Sequence, residues 1–259
     1  MNDEKLIIDG QEFNSRLILG TGGLPSLDIL SEIIETTSAE IATLAVRRVD
    51  PNQKVSIFKI LNERSIKILP NTAGCYTASE AVKLSEMARE SLETDWIKLE
   101  VIADEKSLLP DSTEMLRACE ILIDKGFKVL AYTNADLVIA RKLAALGASA
   151  IMPLAAPIGS GMGLENINGL IRIIQEIDYI PIIIDAGIGT ASDAAIAMEI
   201  GADAVLVASA ITRAVDSVKM AKAIRLGVEA GFLASRAGRI PRQLYAVSSS
   251  TKDNIPNLT

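Results

Sequence analysis

Short aliphatic and β-branched runs recur along the chain at residues 16–20 (RLILG), 41–46 (IATLAV), 66–69 (IKIL), 96–102 (WIKLEVI), 127–132 (FKVLAY), 148–154 (ASAIMPL), 180–184 (IPIII) and 204–208 (AVLVA). Their starts lie roughly 20 to 32 residues apart, the length that a strand, a crossover helix and two loops consume. Between the runs the apolar positions fall at three-and-four spacing. TASE at 77–80 and DSTE at 111–114 read as capping boxes that open helices, and Gly126, Gly147 and Gly201 read as left-handed caps that close them. Eight strand–helix units predict an α/β fold, a (β/α)8 TIM barrel, in preference to an open sheet, because no GxGxxG follows the first strand.

An earlier segment, LIIDGQEF at 6–13, predicts a short β-hairpin capping the bottom of the barrel. The pair LGASAIM (146–152) and IGADAVL (200–206) repeats one transition from helix end to strand and hints at duplication of a half barrel. A single barrel domain is expected over residues 1–246. The polar stretch 247–259, which carries a proline, is expected to be a mobile tail.

Composition narrows the chemistry. The chain has 259 residues, is 49% hydrophobic and only 3% aromatic, a balance that suits aliphatic strands buried under helices and excludes disorder. The net charge of −7 gives no footprint for nucleic acid or an anionic membrane. There is no histidine, so Ser/His/Asp triads, Cys/His dyads and imidazole-based zinc sites are excluded, and proton transfer falls to Asp, Glu, Lys, Tyr or Cys. Cys75 and Cys119 lack a CxxC spacing and read as free thiols in a reducing compartment. With no signal peptide pattern and no long apolar run, a cytoplasmic location is expected.

In WIKLEV the side chains alternate, so Ile97, Leu99 and Val101 share one face and Trp96, Lys98 and Glu100 the other. Alternation alone favours a strand with one face in water. A parallel barrel strand has helices outside and the barrel interior inside, which turns Lys98 and Glu100 inward. A buried Lys98–Glu100 ion pair is one explanation. The other is chemical: desolvation frees the amine to attack a carbonyl and form an imine, with Glu100 moving protons. Asp185 ends the seventh run just before AGIG. It either braces that turn or acts as a general acid or base opposite Lys98.

The glycines supply a further pattern. Gly159, Gly161 and Gly163 follow the sixth run, Gly187 and Gly189 the seventh, and Ala208 and Ser209 the eighth. Small residues let backbone N–H groups approach an anion, and these loops occupy the usual phosphate corner of a barrel. GTGG (20–23) and NTAGC (71–75) follow the first and third runs and either line the mouth or simply make turns. Arg47 and Arg48 serve either substrate or a salt bridge, and Cys75 reads as a loop thiol.

LGTG (19–22), RRVD (47–50), LPNTAGCYTA (69–78), DWIKLEVI (95–102), APIGSG (156–161), DAGIGTASDAA (185–195) and VEAG (228–231) together resemble the bacterial thiazole synthases of thiamine biosynthesis over nearly the whole chain. The resemblance implies a (β/α)8 barrel in which Lys98 forms an imine with the ketone of 1-deoxy-D-xylulose 5-phosphate, while Glu100 and Asp185 transfer protons. It places phosphate binding at Gly159, Ala186, Gly187, Ala208 and Ser209. It implies dehydroglycine as the source of carbon and nitrogen, and a sulfur-carrier protein with a C-terminal thiocarboxylate as the source of sulfur. It also implies a homo-oligomer, a tetramer, with no metal and no organic cofactor. The chain departs from the usual family pattern with Ala208 and Ser209 in place of Asn-Thr, Ala155 in place of Gly, and Ala135, Asp136 and Leu137 in place of two acidic residues and Pro. Two other readings stay open: a lysine-dependent aldolase on the same phosphate-binding barrel, and a non-catalytic sensor of a phosphate ligand.

Overall fold

A computed structural model describes residues 4–46 and 51–249, with the side chains of residues 51–56 left aside. The chain opens with an antiparallel hairpin of β1 (Leu6–Ile8) and β2 (Gln11–Phe13). Its two-residue turn, Asp9 and Gly10, has positive φ at both positions, 47° and 75°, as the twist of a tight hairpin requires. Eight strands follow: β3 (Leu17–Gly20), β4 (Ile41–Ala45), β5 (Lys67–Asn71), β6 (Trp96–Leu99), β7 (Lys128–Thr133), β8 (Ala150–Pro153), β9 (Ile183–Asp185) and β10 (Ala204–Val207). Neighbours pair in parallel from β3 round to β8, and β10 joins β3 to β9. The parallel bridges Ile151↔Ile182 and Leu154↔Asp185 bring β8 against β9 and close the barrel.

Helices α1 (Leu27–Thr37), α2 (Pro51–Glu63), α3 (Ala78–Leu92), α4 (Ser112–Asp124), α5 (Leu137–Leu146), α6 (Ile167–Glu176) and α7 (Ala191–Glu199) connect the strands, and the short α8 (Ser209–Thr212) and long α9 (Ser217–Ala237) complete the ring. Two apolar clusters lie between helices and strands, and the outward residues Ile97, Leu99 and Val101 of the fourth barrel strand belong to one of them. A third fills the barrel. It joins Ile18, Ile41, Leu69, Trp96, Leu130, Met152, Ile183 and Leu206 from the strands to Leu6, Ile8 and Phe13 from the hairpin. Phe13 meets Trp96 edge to face with ring centroids 6.0 Å apart, so the hairpin is a plug whose apolar side completes the interior layer.

All eight expected strands and the hairpin are present, with shifted ends. The run at 96–102 leaves the sheet after Leu99, because the Glu100 N–H donates to the Thr72 hydroxyl and Ile102 forms an antiparallel bridge with Pro110. The run at 180–184 joins the sheet through a bridge at Ile182, forms its strand from Ile183 and carries Asp185 with it. Gly126, Gly147 and Gly201 have positive φ as expected. Both expected capping boxes are half right. Thr77 and Asp111 cap their helices, but Glu80 accepts from the Tyr76 N–H and Glu114 from the Ala78 N–H, so Glu114 ties α4 to the start of α3 instead of folding back on its own cap. Residues 239–249 follow α9 as exposed, irregular chain; Arg47, Arg48 and residues 250–259 of the expected tail lie outside the described residues.

Candidate active site

The interior alternation places one side chain from each of four adjacent strands near the carboxyl ends of the barrel. Trp96 on β6, Leu130 on β7, Met152 on β8 and Ile183 on β9 face the interior cluster. Two residues further along, the same face carries Lys98, Tyr132, Leu154 and Asp185. Glu100, just past the end of β6, continues that face.

Lys98, Glu100 and Asp185 are all buried, at 5%, 4% and 3% exposure. The Lys98 Nζ lies 2.5 Å from Asp185 Oδ2 and 3.0 Å from Glu100 Oε1. Asp185 both faces Lys98 and braces the turn, since its other oxygen, Oδ1, accepts from the Ala186 N–H at 2.7 Å. Ala186 holds a left-handed φ of 59°, uncommon for a residue with a side chain. The hydrogen bond fixes the carboxylate at the point where the chain turns away from the sheet. Glu100 is held through its backbone. The Thr72 hydroxyl accepts from its N–H at 2.7 Å and donates to its carbonyl at 2.8 Å, and Thr72 is itself fully buried in the NTAGC loop.

The electrostatics correct one expectation. Burial by itself lowers the pKa of Lys98, as expected from sequence, but the charges of Asp185 and Glu100 and their hydrogen bonds outweigh it, and the net shift is upward. Lys98 rests as an ammonium between two anions. Any attack by this nitrogen would first need a proton to pass to a carboxylate already in contact with it. The ring of Tyr132 stands beside this cluster, with Lys98 Nζ 5.5 Å from its centroid.

The loops after the last three barrel strands form one continuous rim. The Gly163 N–H donates to the Gly187 carbonyl at 2.9 Å, and Arg213 Nη1 lies 3.5 Å from the Gly159 carbonyl oxygen. Gly187 has a φ of +75°, and a Cβ there would stand 2.4 Å from Ala156 N and 2.6 Å from Ala156 Cβ, so only glycine fits. Ala208 caps α8 and Ser209 begins it; on its other side, a Cβ on Gly20 would come within 2.3 Å of Ala208 Cβ. The amino terminus of α7 is already occupied, because Asp193 accepts from the Gly189 and Thr190 N–H groups. Neither Cys75 nor Cys119 forms a disulfide, and both are fully buried.

The structure thus brings Lys98, Glu100 and Asp185 into direct contact and sets Gly159, Ala186, Gly187, Ala208 and Ser209 on one side of the same mouth. Three neighbours were not singled out from sequence. Thr72 sat in a motif read as turn or lining, Tyr132 looked like one more apolar strand residue, and Arg213 carried only the signal of a cation just past the eighth strand.

Comparison with known proteins identifies the family. The family model described as "Thiazole biosynthesis protein ThiG" matches residues 7–251. A thiazole synthase from Solibacter usitatus (strain Ellin6076) is 53% identical over 250 residues, covering 95% of this chain and 96% of that protein. Among solved structures, the Amycolatopsis orientalis BexX/CysO complex contains a chain that superposes with a TM-score of 0.83 at 28% identity, covering 94% of this chain and all of that one. A thiamine phosphate pyrophosphorylase from Pyrococcus furiosus shares the fold alone, with a TM-score of 0.58 at 16% identity over 84% of this chain and 96% of its own.

Proposed function

Since the chain belongs to the ThiG family of thiazole biosynthesis proteins and is a thiazole synthase, we propose that it builds the thiazole ring on an imine between Lys98 and the ketone of 1-deoxy-D-xylulose 5-phosphate. The observation that carries this reading is the buried ammonium of Lys98 held between Asp185 and Glu100 at 2.5 and 3.0 Å. Overall, ammonium plus ketone gives iminium plus water, so two of the three protons on nitrogen leave with the carbonyl oxygen. The positive charge stays where the carboxylates already stabilise it. An iminium makes neighbouring C–H protons acidic, and Asp185 and Glu100 are placed to move them while the carbonyl character migrates along the sugar chain. Sulfur then attacks, and loss of water and condensation with dehydroglycine close the ring.

The sugar phosphate is anchored at Gly159, Ala186, Gly187, Ala208 and Ser209, which border the mouth beside Asp185. Sulfur arrives as the thiocarboxylate of a sulfur-carrier protein; that a chain of this fold takes a protein partner is supported by the BexX/CysO complex. It also accords with the burial of both cysteines, which keeps them from carrying sulfur themselves. The hairpin plugs the bottom of the barrel, so substrate and carrier tail share the top. No helix among the described residues is long and apolar enough to cross a membrane, and two cysteines outside any disulfide accord with a reducing cytoplasm. A homotetramer completes the reading, taken from the family resemblance.

The test is reduction with borohydride in the presence of 1-deoxy-D-xylulose 5-phosphate, followed by peptide mapping. A mass increase on Lys98 is expected. An adduct on another lysine, or none, overturns the assignment.

A further inference from the structure

Tyr132 is fully buried on the inward face of β7, and its hydroxyl has no hydrogen-bond partner among the described residues. Buried hydroxyls are ordinarily paired, and one left unpaired lowers stability where a phenylalanine would not. The Tyr132 ring flanks Lys98, and both Asp185 and Glu100 act on its hydroxyl electrostatically. An acceptor that arrives only with substrate accounts for a donor kept idle at this spot.

We propose that the Tyr132 hydroxyl donates a hydrogen bond to the carbonyl oxygen of the ketose phosphate as Lys98 attacks its carbon. This rests on the lysine-imine reading above. In the attack, the nitrogen lone pair forms the C–N bond and the C=O π electrons move onto oxygen, which Tyr132 stabilises. The oxygen then takes the two protons released from Lys98, passed through Asp185 or Glu100, and leaves as water. Tyr132 keeps its own proton throughout. Burial, then the charges of Asp185 and Glu100, push its phenol well above the ordinary value, which makes it a lasting donor and a poor acid. Once Lys98 has passed a proton to one carboxylate the other remains an anion, and Tyr132 adds a neutral donor for the negative charge developing on oxygen.

The experiment compares wild type with Tyr132→Phe in single-turnover imine formation, quenched with borohydride at saturating 1-deoxy-D-xylulose 5-phosphate. Tyr132→Phe removes one unpaired oxygen and should melt at or above the wild-type temperature. Its trapping rate should fall by about tenfold or more, while the sugar phosphate concentration for half-maximal trapping stays within about twofold, since the phosphate loops carry binding. Wild-type trapping on Lys98 with an unchanged rate in Tyr132→Phe overturns this proposal alone. No trapping in wild type overturns both readings. If the variant melts lower, wild-type sequence grown with 3-fluorotyrosine, whose phenol is a stronger donor, should trap faster; an unchanged rate there refutes the role equally.

Discussion

Removing the Lys98 charge tests whether the three buried ions form one electrostatic unit. In Lys98→Met the two carboxylates keep their places, each having contacted the same nitrogen within 3.0 Å, but nothing offsets their charge. Breaking a buried ion pair by deleting one partner costs about 3–5 kcal/mol. Two unit charges about 5 Å apart at an effective dielectric of about 20 repel by about 3 kcal/mol, enough to raise one carboxyl pKa by about 2 units. The sign follows from linkage. A carboxyl whose folded pKa stands above its unfolded value binds its proton more tightly in the native state, so its contribution is full at low pH and is lost as pH rises through the folded pKa. Lys98→Met should therefore lose about 2 kcal/mol more, relative to wild type, at pH 8 than at pH 5. Urea unfolding at fixed protein concentration measures it, and the triple variant Lys98→Met/Glu100→Gln/Asp185→Asn, with no ionisable group left in the cluster, should return to the wild-type pH dependence. An equal loss at both pH values, or a slope that persists in the triple variant, refutes the reasoning.

Two glycines of equal left-handed strain, with φ of +74° and +75°, separate binding from folding: Gly159→Ala adds to that strain only contact with the flexible end of Arg213 at 3.1 Å, so it should still fold, with a stability loss of about 1–2 kcal/mol, while weakening sugar-phosphate binding. Gly187→Ala drives its Cβ into the Ala156 backbone and should unfold about 2–4 kcal/mol more easily, from overpacking plus left-handed strain; calorimetric titration and urea curves check the pair, and a Gly159→Ala variant with unchanged affinity moves the phosphate elsewhere. Because the Lys98 pKa is raised and its proton passes to a carboxylate within the cluster, the imine-forming rate should stay flat from about pH 7 to 9, once the substrate phosphate is fully ionised. A sigmoidal rise with a midpoint inside that range, in stopped-flow followed by borohydride quench, would show instead a lysine whose pKa is depressed.

The strands were legible because each is an aliphatic run bounded by turn residues, and a parallel barrel buries such runs on both faces. Their ends were less so, since Glu100 leaves the ladder through a hydroxyl 28 residues earlier in the chain. Lys98 announced itself as a charge on an inward face. Its protonation state did not, because the outcome depends on Asp185, which lies 87 positions away in sequence and 2.5 Å away in space. Local pattern sees the desolvation of one residue, whereas the sum of partners exists only once the barrel closes. Tyr132 was hidden for the opposite reason: on an apolar strand an aromatic ring looks like filling, and what distinguishes it is the absence of a partner for its oxygen among the described residues.

The plug also sets an order on the making of the chain. Leu6, Ile8 and Phe13 leave the ribosome ahead of the socket they fill, which includes Trp96, Leu130, Ile183, Ala204 and Leu206. The ring itself closes when Val205 in β10 pairs with Leu17 in β3. A nascent chain of fewer than about 200 residues therefore carries an apolar hairpin with nowhere complete to seat it, and most of synthesis passes before the first element made finds its place. For this protein the amino-terminal hairpin is the last piece to be secured, so its sequence is under pressure to remain harmless while it waits as well as to fit when it docks.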